Sequence, residues 1–274
     1  MKRRHLSYLL SDILVLLMAL IVFFPILYGM LGAFKSPDEF AQQPPTIFPR
    51  SLGNLENFRT VFTMIPLFRF FLNSLIVAVS ASVLRLLFAT LAAYAFAFYE
   101  FRGRRTLFFL LLGTMMLPPE TLTIGNYRTV AALGLLDTYA GIIIVSLVGA
   151  SQMFMLRQAF RQLPAYYRDA ARLDGCGDIR FLVWILIPVY MPVLTTLFLQ
   201  SFVAQWNAYL WPLLVTNSNV MRTVQVGITM LTGPESTNYE TILAGVTLAL
   251  IPSFLLFFLL RNRMTGSMRN GSLS

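Results

Sequence analysis

Six apolar stretches constrain this chain more than any other feature, because each is long enough for a helix to cross a ~30 Å hydrocarbon layer. They lie near residues 8–33, 70–98, 107–124, 140–159, 184–213 and 239–260. Charged residues make up only 12% of the sequence and hydrophobic ones 57%, too few charges to cover a water-exposed surface. Lipid must be the solvent for much of the protein, and in lipid every backbone polar group has to be bonded internally. The sequence therefore predicts an all-α membrane protein with six transmembrane helices, folded as a single domain over 1–274. The first stretch follows Lys2, Arg3 and Arg4 and is longer than the apolar core of a signal peptide, so it is expected to be a retained span. Asp12 is the one clear acid within a predicted span, close to its basic end.

Loop charges predict the orientation. With both termini in the cytoplasm, the inner segments hold Lys2, Arg3, Arg4, Arg102, Arg104, Arg105, Arg157, Arg161, Arg168, Arg172, Arg180, Arg261, Arg263 and Arg269. The outer segments hold Lys35, Arg50, Arg59, Arg69, Arg128 and Arg222, a bias of 14 to 6 in the direction the positive-inside rule requires. The same bias accounts for the net charge of +9 without nucleic acid, and no basic stripe interleaved with aromatics is present.

Several chemistries are excluded. The only lysines are Lys2 and Lys35, and neither follows a glycine, so a phosphate-cradling loop ending in Gly-Lys-Ser/Thr cannot be built. A single cysteine, Cys176, allows no intrachain disulfide. With one histidine, His5, in the basic N-terminal tail, a Cys/His metal site lacks ligands.

The outer segments read as extended connections. Residues 35–69 carry Pro37, Pro44, Pro45, Pro49 and Pro66, with room for a short helix near Leu55–Phe62. The segment 216–238 is polar and contains Gly233-Pro234, and Pro118-Pro119 is expected to end or kink the third span.

The most informative stretch is the inner loop and the beginning of the fifth span, 157–192. It predicts a short amphipathic helix, a turn at Gly175, and a second helix that becomes the fifth span, with Pro188 and Pro192 near its start. Asp169-Ala170-Ala171 gives that short helix a small face against which another backbone could press closely. The pattern resembles the cytoplasmic loop of permease subunits of binding-protein-dependent ABC importers, in the maltose and glycerol-3-phosphate carbohydrate-uptake family. In that pattern Glu-Ala-Ala is followed by three residues, Gly, nine residues, Ile, one residue and Leu-Pro. Asp169, Ala170, Ala171, Gly175, Ile185, Ile187 and Pro188 match it in spacing, with Asp169 for Glu and Ile187 for Leu. Leu133–Gly141, the run Gln205–Pro212 and the basic tail Arg261–Ser274 also look like tracts of these permeases, so the resemblance covers nearly the whole chain.

The resemblance implies a channel-forming subunit in a bacterial inner membrane that imports a sugar, an oligosaccharide or a glycerol-3-phosphate-like solute. A coupling helix between spans four and five, in the loop about 160–184, would dock on an ATPase through Asp169, Ala170, Ala171, Asp174 and Gly175. Partners would be a second permease chain, favoured to be a different one, two ATPase subunits and an extracytoplasmic solute-binding protein. ATP and Mg would sit on the ATPase partners, with no cofactor, metal or catalytic residue in this chain.

Individual residues in the predicted spans have competing readings. Trp206, Asn207, Tyr209 and Trp211 could stack on a sugar, or form an interfacial aromatic belt at the same depth. Arg85 lies about 22 Å along the second span at the helical rise. It faces water or the bundle interior, either as an anion contact or as a snorkelling or paired charge. Ala89, Ala93 and Ala97 make a close-packing stripe, and Met115, Met116 and Met153 read as core. A secondary transporter of small polar solutes would normally carry several intramembrane acids, and a membrane enzyme a nucleophile–base pair or metal ligands. The spans show neither.

Overall fold

A computed structural model describes the backbone of residues 2–232 and 238–270, and the side chains of 11–232 and 238–262. Gly233-Pro234, the His5 side chain and the basic side chains beyond Asn262 lie outside the described residues. In chain order the helices are α1 (Lys2–Gly32), α2 (Pro37–Ala41), α3 (Glu56–Met64) and α4 (Leu67–Phe98). Next come α5 (Arg104–Thr114), α6 (Pro119–Ala132), α7 (Tyr139–Ser146), α8 (Ala150–Arg161) and α9 (Ala165–Leu173). The rest are α10 (Asp178–Val189), α11 (Met191–Trp206), α12 (Leu210–Val215), α13 (Val224–Thr229) and α14 (Tyr239–Asn270).

Three stretches cross a membrane's thickness as unbroken apolar helices: Ser11–Gly32, Leu67–Phe98 and Tyr239–Asn262. The other three expected spans are broken pairs, and the count reaches six when each pair is one span. α5 meets α6 at 96°, α7 meets α8 at 51°, and α10 meets α11 at 81°. The expected third span at 107–124 is thus an 11-residue helix that stops at Thr114. Pro118 then sits in an extended conformation and Pro119 opens a new helix at a near right angle. Between α10 and α11 the cause is also proline: neither Pro188 nor Pro192 can donate to the turn before it, and a π-helical turn at Leu182–Leu186 precedes them.

The chain divides into two compact units, Met1–Phe68 with Gly227–Ile251 and Arg69–Val226 with Pro252–Ser274. In the first, Ser36 and Glu39 form a reciprocal capping box on α2. Glu39 also accepts from the Arg50 backbone N–H at 2.8 Å, so its carboxyl is held below its ordinary pKa, the Ser36 backbone hydrogen bond contributing most. Asn57 on α3 donates to the carbonyls of Ala33 and Lys35 at 2.9 and 2.8 Å, and Lys35 reaches the Thr46 carbonyl. The Asn57 bonds satisfy the carbonyls of the turn that follows α1.

In the second unit α4 is the organising helix. Ala89 and Ala93 are buried and Ala97 partly so, as the small-residue stripe predicts. They pack with Met153, Leu156 and Phe160 of α8, Leu182 and Leu186 of α10, and Leu194 and Leu197 of α11. Small residues let these helices approach closely where lipid supplies no hydrophobic drive between them. Near the other end of α4, Asn73 receives Tyr139 Oη at 2.6 Å and donates to the carbonyls of Val220 and Arg222 at 2.8 and 2.9 Å.

Candidate functional site

Two regions of the second unit gather the sequence-predicted residues. The first surrounds α9. That helix ends in a complete Schellman motif: Cys176 N–H bonds the Ala171 carbonyl at 2.8 Å and Gly175 N–H the Arg172 carbonyl at 3.0 Å. Gly175 sits at φ +70°, which a side chain would strain, and this is the physical need for glycine at that place in the pattern. Asp169, Ala170, Asp174 and Gly175 are exposed, and Leu173 is 89% exposed. Ala171 is not: it is 5% exposed and packs into this chain's own core beside Ala93, Tyr94 and Phe181. The small face expected from the Ala170-Ala171 pair is therefore split, one alanine outward and one inward.

The loop is fastened to the end of α4. Arg168 of α9 donates to the Phe98 carbonyl at 3.2 Å and lies over the Phe98 ring. Arg104 and Arg157 both donate to the Phe96 carbonyl, at 2.7 and 3.1 Å. Three guanidinium groups thus meet the orphan carbonyls and negative pole of one helix terminus. At the start of α10, Asp178 accepts from Tyr94 Oη at 3.2 Å and from Tyr99 Oη at 2.5 Å. That hydrogen bond to a carboxylate raises the Tyr99 hydroxyl's pKa. Phe181 packs edge-on against Phe98 behind this clamp.

The second region is a cleft of about 470 Å³. Its walls include Val77 and Arg85 of α4, Glu120, Thr123 and Asn126 of α6, Ile142 and Ser146 of α7, Gln205 of α11, and Tyr209, Trp211 and Pro212. Three interruptions of helix border it: Pro119 and Glu120 after the α5–α6 bend, Ser146 before the α7–α8 bend, and Ala208 and Tyr209 between α11 and α12. Non-helical backbone at membrane depth is tolerated where it lines a polar cavity. Arg85 Nε donates to the Ser146 carbonyl at 2.5 Å, and among the described residues no carboxylate pairs with it.

The aromatic run does not act as one group. Trp211 and Tyr209 line the cleft, though Trp211 Nε1 is occupied by the carbonyls of Gly141 and Ile142 at 3.3 and 3.2 Å. Trp206 is 1% exposed, stacked on Phe202 and edge-on to Phe71, away from the cleft lining. Asn207 is exposed and accepts from Gln225 Nε2 at 3.2 Å. Glu120, Asn126 and Gln205 were missed by the sequence reading. For Glu120 a signal existed, an acid directly after a double proline that breaks a span. The tract around Leu133–Gly141 is structural: Asp137 Oδ1 accepts from the backbone N–H groups of Asn217 and Ser218 at 3.0 and 3.1 Å. The Ser218 hydroxyl, followed by these N–H groups, lowers the Asp137 pKa.

Three unbroken apolar helices and three broken pairs, with a short helix capped by a Schellman turn and a polar cleft among the breaks, are the architecture of a membrane transport component. The chain belongs to the family of binding-protein-dependent transport system inner membrane components, whose model matches residues 3–270. It is 35% identical over 260 residues, 93% of each chain, to the arabinooligosaccharides transport system permease protein AraQ of Halalkalibacterium halodurans. It is 30% identical over 269 residues, 95% of each chain, to the sn-glycerol-3-phosphate transport system permease protein UgpE of Brucella melitensis. The same fold, at TM-score 0.82 and 22% identity, covering 96% of this chain and 98% of the other, occurs in the crystal structure of a bacterial ABC transporter involved in importing the acidic polysaccharide alginate. Membership of this family places the chain in the inner membrane as a multi-pass permease component and sets aside the secondary-transporter alternative.

Proposed function

We propose that the chain works as one permease domain of an ABC importer and moves a carbohydrate-type solute, a neutral oligosaccharide or a glycerol-3-phosphate-like molecule, into the cytoplasm. The observation that carries this reading is the cleft where three helix interruptions bring Arg85, Glu120, Asn126 and Gln205 beside Tyr209 and Trp211. Charges of both signs and side-chain amides suit a polyhydroxyl solute, which offers donors and acceptors together, and aromatic faces suit the apolar side of a sugar ring. The names of the relatives that match over almost their full length support the same class.

Both termini face the cytoplasm in this proposal, so α9 does as well. The exposed residues Asp169, Ala170, Leu173, Asp174 and Gly175 then form the contact for an ATPase subunit. ATP and Mg are bound by two such partners, while this chain carries no catalysis. A second permease chain completes the pathway and an external binding protein delivers solute. Bending at the three interruptions lets the cleft make different contacts in the outward-open and inward-open states, which coupling to ATP requires.

The test is reconstitution in liposomes with the second permease chain, the ATPase and the binding protein. Uptake and stimulated ATP hydrolysis are expected with an oligosaccharide or with glycerol-3-phosphate. Stimulation by neither, with an amino acid or a metal ion active instead, overturns the solute class. Reporter fusions at residues 103, 170 and 270 should read inside and those at 50 and 225 outside; an outside signal at 170 overturns the ATPase contact.

A further inference from the structure

We propose that a cavity at the start of α5 is a binding site for the phosphate of an anionic phospholipid. This goes beyond the transport reading and requires only that α5 begins at the membrane surface. The cavity encloses about 730 Å³, and its lining includes Glu100, Arg104, Arg105, Phe108, Phe109 and Arg157. Two of its guanidinium groups are held side by side, because Arg104 Nη2 and Arg157 Nε share the Phe96 carbonyl at 2.7 and 3.1 Å. Arg105 adds a third positive charge on the exposed side. Among the described residues no carboxylate forms an ion pair with any of the three, although Glu100 lines the same cavity. The first turn of α5 holds no acid and its N-cap, Gly103, offers no side chain, so the positive pole of this 11-residue helix reinforces the field. Like charges held this close without a counter-ion favour an anion between them.

The apolar part of the site decides which anion. The Arg157 guanidinium lies 3.9 Å from the Phe108 ring centre and that of Arg105 5.8 Å from Phe109. Beyond them Phe109 and Leu110 are 57% and 63% exposed and carry the apolar surface onward along α5. A free phosphate or nucleotide has no use for that face, whereas the acyl chains of a phospholipid cover it. Basic pockets between transmembrane helices bind lipid head groups by this division of labour.

The test uses the full chain purified in neutral detergent, with bound phospholipid counted by native mass spectrometry. Phosphatidylglycerol should be retained and phosphatidylcholine should not. Arg105→Gln should weaken phosphatidylglycerol binding about fivefold, the equivalent of about 1 kcal/mol per arginine at an anionic surface. Arg105→Lys should recover most of it. Arg104 and Arg157 also hold the Phe96 carbonyl, so their variants risk misfolding, and Arg105 carries the experiment. Arg102→Gln, in the same loop but not among the lining residues, should weaken binding less than Arg105→Gln, because its charge contributes only to the general field at the surface. Equal retention of phosphatidylcholine overturns the proposal, as does an equal loss in Arg102→Gln or no loss in Arg105→Gln. Displacement of phosphatidylglycerol by millimolar inorganic phosphate assigns the cavity to a soluble anion and overturns the lipid.

Discussion

The two functional regions of the second unit are built on opposite principles. Around α9 the joint is fastened by several hydrogen bonds between elements: the Phe96 and Phe98 carbonyls take three arginines, and Asp178 takes two tyrosines. Around the cleft, charges are left in reserve, Arg85 using only Nε and Glu120 forming no ion pair among the described residues. A joint fastened at several points moves as one body and passes displacement on. A cleft with spare donors and acceptors can change partners between states. The difference teaches that force is transmitted where bonds between elements are many and solute is handled where they are few.

The largest expected effect comes from breaking the exposed side of the joint. Ala170→Trp or Leu173→Asp changes only outward-facing positions, so the chain should insert normally while uptake falls more than about tenfold, the scale of a lost interface anchor. Pull-down of the ATPase measures the contact directly, and normal binding with normal uptake in both variants would remove α9 from the coupling role. Gly175→Leu should act in the same direction, since a side chain in left-handed backbone costs about 1–2 kcal/mol and would reshape the end of α9.

A second variant attacks the fastening itself. Asp178→Ala takes the carboxylate from Tyr99 and leaves Tyr94 only the backbone carbonyl of residue 178 at 3.3 Å. A modest loss of stability is expected, because the bond is exposed and water replaces part of it, read as a lower thermal midpoint of the purified chain. Transport should fall in parallel. An unchanged midpoint would mean that the joint is not held by this clamp.

How far these regions were legible in the sequence follows the same division. Spans one, two and six were readable because uninterrupted apolar runs are a length signal. Gly175 and the short helix before it were readable because a Schellman turn and an amphipathic period are local. The direction of Ala171 was not, because two neighbouring alanines look identical until the helix is seated on α4. Trp206 and Trp211 likewise share a composition signal, yet Phe71 and Phe202 enclose one while the other reaches the cleft. No proline announces the bend at Leu147–Gly149, and the apolar pattern of the fourth expected span runs through it.

Arg85→Gln sharpens the cleft side of the comparison. With the spare guanidinium nitrogens gone, uptake of an anionic solute should drop by roughly tenfold to a hundredfold, the range for one charged hydrogen bond. A neutral oligosaccharide should be little affected. Equal losses for both solutes would make Arg85 a purely structural support of Ser146. The smallest effect concerns Asp137, whose hydrogen bonds from Ser218 and Asn217 depress its pKa. The stability it adds is complete above the ordinary carboxylate range and is lost as pH falls through its lowered folded value. Asp137→Asn should therefore flatten the acid limb of the stability profile, measured by thermal unfolding between neutral and acid pH.

One contact couples the cleft to the geometry of a neighbouring bend. A Cβ added at Gly149 would lie 2.6 Å from Gln152 Oε1, 3.0 Å from Arg85 Cγ and 3.3 Å from Arg85 Cδ. The α7–α8 bend and the charge in the cleft therefore occupy a single steric slot. In a genetic screen, a Gly149→Ala strain that has lost uptake should recover through second-site changes that shorten residue 85 or trim Gln152. The solute preference of the revertants would differ according to which of the two had yielded.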